Sequence, residues 1–365
     1  MLKKIQEHLR KHPGLKARSI ASQLNEERQQ VSKILHDHKQ IFIQDGEFQW
    51  SLILQEELRI ELGDHRWLTA DDFEKALLAK ESPLDSACSK VTFVVAKDCR
   101  ILLEALARLL ALCNQLVAAG KNVSVDFSDC KQTLNYLDRI GFFDHLSDTI
   151  EVLPKRPIGS KATVYEGNND GVVELRAIDP LAPNQEIPTL LQNSFVSCAG
   201  DQYSAAAFTV LSELFGNVQE HSASTTAGFA GLQFYKRGNH IQTVISDSGL
   251  GIVGTLTPVL KDRYEHITRK ISASTLKPEV ALLQEVFSGG GISQVNESGR
   301  GLGLWRTSGL AQKYKARISV RQEHFELKVN HSPKGIQFSH TLDLVRIAGT
   351  HICFDFLLDQ PTQSR

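Results

Sequence analysis

Four short stretches in the C-terminal half constrain this chain more than any other feature. On a predicted helix, about Ser204 to His221, the residues Glu213, Asn217 and His221 recur every fourth position. That spacing stacks a carboxylate, a carboxamide and an imidazole on one face. Next, Ile245-Ser246-Asp247-Ser248-Gly249-Leu250-Gly251-Ile252 ends an apolar strand, and Ser298-Gly299-Arg300-Gly301-Leu302-Gly303-Leu304 opens a helix. Finally, Ala348-Gly349-Thr350-His351-Ile352 enters a last apolar strand. Each alone is ordinary: an Asp before glycine is a turn, and polar groups every four residues make a solvated helix face. All four in this order, with a long segment between the second and third, are far less expected by chance.

The chain has 365 residues, room for about two to three domains. At 41% hydrophobic residues it can bury sizeable cores. The pattern divides it at 1–54, 55–88, 89–156, 157–186 and 187–360. In the first segment Leu2, Ile5 and Leu9 space as one helical face, and Pro13-Gly14 ends that helix. Ile20, Ala21 and Leu24 mark a second helix, and Val31, Ile34 and Leu35 a third. Ile41-Phe42-Ile43 and Phe48-Gln49-Trp50 flank Asp45-Gly46, a hairpin signal. Three helices and a two-stranded wing make a winged helix-turn-helix. Two readings stand side by side. Arg28, Gln29, Ser32, Lys33 and His36 form the exposed face of a recognition helix for nucleic acid, or Glu26, Glu27 and Asp37 repel phosphates and the module contacts protein. The segment resembles the winged helices of Z-form nucleic-acid binders, with Trp50 on the wing. Ser32 and His36 replace that family's Asn and Tyr contacts, so its activity is not carried over.

Residues 55–88 read as a charged helical connector (Gln55 to Leu62, Ala70 to Lys80). In 89–156, a strand Val91–Val95, a helix from about Cys99 to Ala119, a strand Val123–Phe127 and a helix Thr133–Ile140 alternate, which implies an α/β layer. With Asp126-Phe127-Ser128 leading into a helix, this segment resembles the STAS fold of anti-sigma-factor antagonists. It lacks that family's Asp-Ser-Ser-Gly run, so an adaptor role is expected rather than phosphorylation. Residues 157–186 read as an irregular linker carrying one strand, Val172 to Ile178.

The four C-terminal stretches together resemble the Bergerat-type ATP site of the GHKL superfamily, which includes gyrase, MutL, histidine kinases and anti-sigma-factor kinases. Glu213 to His221 matches the N box, Asp247-Ser248-Gly249-Leu250-Gly251 the first glycine box, Gly299-Arg300-Gly301-Leu302-Gly303 the second, and Gly349-Thr350 the last. The resemblance covers about 170 residues and implies an α/β sandwich over 187–360. It implies ATP and Mg2+ as cofactors, and GHKL domains often dimerise, so a homodimer is a further expectation.

The residue types suit that chemistry. Magnesium prefers hard oxygen ligands, with phosphates and water completing its shell, and Asn217 offers one amide oxygen. Asp247 is an acceptor that suits the amine of adenine and opposes guanine's carbonyl, so ATP is preferred to GTP. Gly249 and Gly251 let the backbone approach the base. Backbone N–H groups around Gly299, Arg300, Gly301, Leu302 and Gly303, at a helix start, hold phosphate oxygens. Thr350 supports adenine, as the resemblance implies. Glu213 either activates a water or hydroxyl near the γ-phosphate or orients Asn217. His221 either supports phosphate or is an ordinary surface histidine. Between the glycine boxes, residues 252–298 carry Lys261, Arg263, Arg269, Lys270 and Ser288-Gly289-Gly290-Gly291. They read as a lid over triphosphate or as a helical insertion with a loop.

Composition narrows the classes. Lys+Arg number 41 against 42 Asp+Glu, which argues against whole-chain electrostatic binding to nucleic acid. The six cysteines form no Cys-x-x-Cys pair, which argues against a zinc ribbon or a disulfide scaffold. Met1 to Glu7 lacks the apolar core of a signal peptide, and Ile101 to Ala119 carries Glu104, Arg108, Asn114 and Gln115, so it reads as a core helix and not a membrane span. A cytoplasmic protein without a membrane partner is expected. Three functions are compatible with this pattern. One is a regulatory ATPase with slow hydrolysis coupled to the N-terminal modules. Another is a serine/threonine kinase of the anti-sigma type; the absence of histidine from Gln192 to Val210 counts against a histidine kinase. The last is an ATP-sensing nucleic-acid-binding transcription regulator.

Overall fold

The computed structural model describes residues 1–39, 41–52, 57–64, 66–179, 182, 184–221, 227–289, 316–332 and 335–358. The chain divides into two units, residues 1–58 with 85–90 and residues 59–84 with 91–365. The chain passes from one unit to the other after residues 58, 84 and 90.

In the smaller unit, α1 (Leu2–Lys11), α2 (Ala17–Leu24) and α3 (Arg28–Asp37) follow the apolar spacing. Ile5, Leu9, Ile20, Ala21, Val31 and Leu35 meet Phe42 and Trp50 in one core. The strands β1 (Leu15–Lys16), β2 (Phe42–Gln44) and β3 (Gln49–Leu52) form a sheet ordered β1-β3-β2. The turn between β2 and β3 is tied by Asp45, whose Oδ1 accepts from the backbone N–H groups of Glu47 and Gln49 at 3.0 and 2.8 Å. Trp50 is buried and meets the His36 ring edge-on, with centroids 4.9 Å apart.

The larger unit is mixed α/β. It contains all but the first two residues of β4 (Glu57–Leu62), all but the first of β6 (Lys90–Val95), and β5 (Trp67–Leu68), β7 (Arg100–Ile101), β8 (Asn122–Asp126) and β9 (Glu151–Leu153). Of these, β4, β6, β8 and β9 form one sheet in that order, and β5 pairs with β7. The expectation of a helix from Gln55 to Leu62 is corrected for 57–62. Leu58, Ile60 and Leu62 are buried while Glu57, Arg59 and Glu61 are exposed, the period-two pattern of a half-buried strand. The helices α4 (Ala70–Leu78), α5 (Leu103–Ala118), α6 (Lys131–Arg139), α7 (Phe142–His145) and α8 (Lys161–Tyr165) accompany this sheet. A reciprocal cap opens α4, with Thr69 Oγ1 accepting from Asp72 N–H at 3.2 Å.

After β10 (Val172–Ile178) come α9 (Ile187–Ala199), α10 (Ser204–His221), β11 (Gly228–Tyr235), β12 (His240–Ser246), α11 (Gly251–Arg263), α12 (Glu265–Ala273) and α13 (Pro278–Gly289). The strands β13 (Ala316–Glu323), β14 (Phe325–Ser332), β15 (Gly335–Thr341) and β16 (Ile347–Leu357) complete an antiparallel seven-stranded sheet ordered β10-β11-β12-β16-β13-β14-β15. The segment expected as a linker thus supplies an edge strand of this sheet.

Side chains alternate across the sheet. Ile318 and Val320 of β13, Leu327 and Val329 of β14, and Ile352, Phe354 and Phe356 of β16 join the core formed with α9, α10 and α11–α13. The intervening positions, Ser319, Arg321, Glu326 and His351, face the other way, and there α5 lies against β12 and β16 with α4 beside it. The polar face is therefore buried rather than wet. Arg108 of α5 donates to Glu74 at 2.8 Å and Glu104 at 2.6 Å, and also to Glu326. Arg321 donates to Glu74 at 2.9 Å. Burial alone would lower the pKa of Arg108, but the three carboxylates outweigh it and hold it above its ordinary value. Among the described residues no helix is long and apolar enough to cross a membrane. All six cysteines are buried and none forms a disulfide.

Candidate functional site

Strand β12 delivers Asp247 to the end of the sheet. There its backbone N–H donates to Thr350 O of the neighbouring β16 at 2.9 Å. Both side chains are buried, at 6% and 5% exposure. Asp247 Oδ1 accepts from Gly249 N–H at 2.7 Å, closing a tight turn. Burial pushes the Asp247 carboxyl up to about 6; hydrogen bonds from Gly249 and Thr350 offset part of that rise. A buried acceptor of this kind needs donors, and it finds them in the Gly249 backbone and in Thr350.

Gly349 lets the two loops touch. Its φ is +90°, and a Cβ there would stand 2.1 Å from Asp247 O and 2.7 Å from Ser248 Cα. Gly251, at φ +71°, opens α11; a Cβ on it would come within 3.0 Å of Gln322 Nε2 and 3.3 Å of Gly349 O. The space into which a Cβ at Gly251 would point is taken by the protein's own Gln322. That glutamine, buried on β13, was invisible as a motif. Its Nε2–H donates to Thr350 Oγ1 at 2.8 Å and its Oε1 accepts from Val253 N–H at 3.2 Å. It therefore fixes the threonine hydroxyl and the start of α11 together. A cleft of about 740 Å3 adjoins the turn, lined by Gly249, Leu250, Val253, Gln322, Glu323 and Arg346 among others.

Asp247, Gly249, Gly251 and Thr350 are thus brought together, with Gly349 between. The chain matches no protein-family model, no curated protein and no solved structure.

The remaining candidates fall elsewhere. Glu213 lies part-buried within α10. Asn217 and His221 belong to the same helix, but their side chains lie outside the described residues, as do Gly299, Arg300, Gly301, Leu302 and Gly303. Among the described residues no group of three or more His, Cys, Asp or Glu could hold a metal ion. The magnesium expectation thus rests on Asn217. Of the 252–298 insert, the described part is α11–α13, and Leu256, Leu260, Val280, Leu283 and Phe287 anchor it in the main core. Arg269 and Lys270 pair with Glu265 and Glu285 at 2.6 and 3.0 Å. This part is a packed helical insertion, and the lid reading applies only to 290–298, outside the described residues.

The raised carboxyl has a thermodynamic sign. A group whose folded pKa lies above its unfolded value favours folding while protonated and loses that contribution as pH rises through the folded value. Ionised Asp247 therefore weighs on the unliganded fold at pH 7.5, by up to about 3 kcal/mol at 1.36 kcal/mol per unit. Asp247→Asn is expected to raise the denaturant midpoint at pH 7.5, with the gain gone at pH 4. An equal or lower midpoint at pH 7.5 would show that the carboxylate is not strained there.

Proposed function

We propose that the chain is an ATP-binding regulatory protein with a GHKL-type site, in which Mg2+-dependent nucleotide binding and slow hydrolysis are coupled to a winged helix-turn-helix and a STAS-like segment. The observation that carries this reading is the buried Asp247 carboxylate on one strand end, tied by its backbone to Thr350 on the next and in close contact with Gly349, while α10, the helix of Glu213 and Asn217, packs against β12. Asp247 accepts from the adenine amine, and Thr350, held by Gln322, supports the ring. Asn217 would hold Mg2+, which neutralises phosphate charge when bound. Glu213 polarises the attacking water.

Calorimetry with the full chain tests the reading. ATP with Mg2+ is expected to bind, GTP about tenfold or more weaker, and Asp247→Asn to lose ATP affinity while staying folded. Binding should weaken below pH 6 as the carboxyl protonates. Absence of any heat for adenine nucleotides removes the proposal. Glu213→Ala is expected to keep ATP affinity and lose at least about tenfold in phosphate release, the usual scale for a displaced general base being 10²–10⁴. Turnover that survives unchanged assigns Glu213 to orientation of the helix. With γ-labelled ATP, label arriving on protein would favour a serine/threonine kinase. In the N-terminal unit Arg28, Gln29, Lys33 and His36 stand exposed on α3, so that helix is the surface on which a nucleic-acid or protein partner is to be sought.

A further inference from the structure

Helix α5 is almost wholly apolar where it crosses the sheet: Leu109, Leu110, Leu112, Cys113 and Leu116 are all buried. Three polar side chains interrupt it on the sheet side, Glu104, Arg108 and Gln115, spaced four and seven residues apart and therefore on one face. Arg108 serves the buried charges. Gln115 serves the two loops that meet at Asp247 and Thr350. Its Oε1 accepts from Ala348 N–H at 2.9 Å, and its Nε2–H donates back to Ala348 O at 3.0 Å. The same Nε2 donates to Ser248 Oγ at 3.1 Å. Ala348 immediately precedes Gly349-Thr350, and Ser248 immediately follows Asp247. His351 Nε2 also bonds Ala348 O, at 3.0 Å, so that carbonyl is fully engaged.

The neighbouring Asn114 makes a matching clamp in another direction. Its Nδ2 donates to His145 O and its Oδ1 accepts from Ser147 N–H, both at 2.9 Å. Adjacent amides on one helix thus grip the candidate nucleotide loops and the turn after α7. A rigid helix with such grips moves both or neither.

We propose that Gln115 is a positioning residue for the nucleotide site, setting the separation of the Ser248 and Ala348 loops and passing nucleotide occupancy to α5 and the 145–147 turn. This rests on the ATP-binding reading above. Coupling is reciprocal: if α5 holds the loops in the binding geometry, nucleotide binding must in turn stabilise α5.

The test uses the full chain, ATP with Mg2+, and the near-isosteric Gln115→Met, which keeps side-chain length and removes all three hydrogen bonds. Expected are a melting temperature within a few degrees of the parent, ATP affinity lowered about tenfold, and loss of the ATP-induced slowing of amide exchange across 103–118 and 145–147 at saturating nucleotide. Affinity within twofold of the parent, or exchange protection of α5 that persists, overturns the proposal. A parent chain that binds no ATP overturns instead the reading on which it rests. If Gln115→Met does not fold, Ser248→Ala removes one of the bonds without touching α5; about threefold weaker binding is expected, and unchanged affinity with unchanged exchange overturns the proposal.

Discussion

Gly349→Ala is expected to be among the most damaging single-methyl additions in the chain, costing about 3 kcal/mol or more and abolishing ATP binding in whatever remains folded. The added Cβ would lie 2.1 Å from Asp247 O and 2.7 Å from Asp247 C, both backbone atoms. No rotamer change relieves such a contact. The hydrogen bond from Asp247 N–H to Thr350 O, at 2.9 Å, fixes the two strand ends at their present separation. Relief requires breaking it and dragging Ala348 away from Gln115. The φ of +90° adds backbone strain for any L side chain, about 1–3 kcal/mol at such positions. Gly46→Ala is the control, because open space surrounds a Cβ at Gly46; its effect should stay within about 0.5 kcal/mol, the range for unremarkable surface changes. Urea midpoints for the two variants decide the matter. A Gly349 variant as stable as the Gly46 variant would mean that the two loops part readily and do not form a fixed site.

Arg108→Met is expected to cost about 3–5 kcal/mol at pH 7.5, the scale for breaking a buried ion pair from one side. Among the described residues, Glu74, Glu104 and Glu326 would then share the interior with Arg321 and the half-buried Lys328 as cationic partners. The pH dependence identifies the cause. In the parent, burial works to raise the Glu326 pKa, but Arg108 and Lys328 prevail and hold it below the usual carboxylate value. That contribution is present above the unfolded pKa and is lost as pH falls through the folded one. Without Arg108, the burial that works to raise the Glu326 pKa is opposed less and its carboxyl takes up a proton more readily, so the deficit should shrink as pH falls from 7.5 to 5. Adding Glu104→Gln and Glu326→Gln should recover much of the loss. A deficit independent of pH would instead assign the cost to lost packing of the arginine stem.

Sequence pattern revealed individual elements better than their assembly. Strand β10 and helix α10 occupy the residues expected for them, the strand marked by Val172, Val173, Leu175 and Ile178 between turn residues and the helix by a long run free of proline. The Asp247 turn and Gly349-Thr350 were also legible, since acidic and glycine positions at strand ends stand out from their surroundings. Gln322 and Gln115 were not. A glutamine within a strand or helix looks the same whether it faces water or closes a site from within. Arg108 and Gln115 were even used to argue that α5 is no membrane span, although one is buried among carboxylates and the other pins two loops. The strand over 57–62 is hidden for a simpler reason: Glu57, Arg59 and Glu61 make the segment look like charged helix, and only their alternation with Leu58, Ile60 and Leu62 marks a strand. The alternation of β13, β14 and β16 likewise specifies a polar face, but not whether water or α5 covers it.

The second helical layer limits where the chain can be cut. A domain whose far side is solvated can be trimmed to its sheet and expressed alone. Here a fragment starting at Ile187 would shed β10, α4 and α5 and leave Arg321 and Glu326 without the partners that match them. Truncation from the upstream side therefore uncovers charge that only the missing residues can neutralise, each segment being the other's counter-surface.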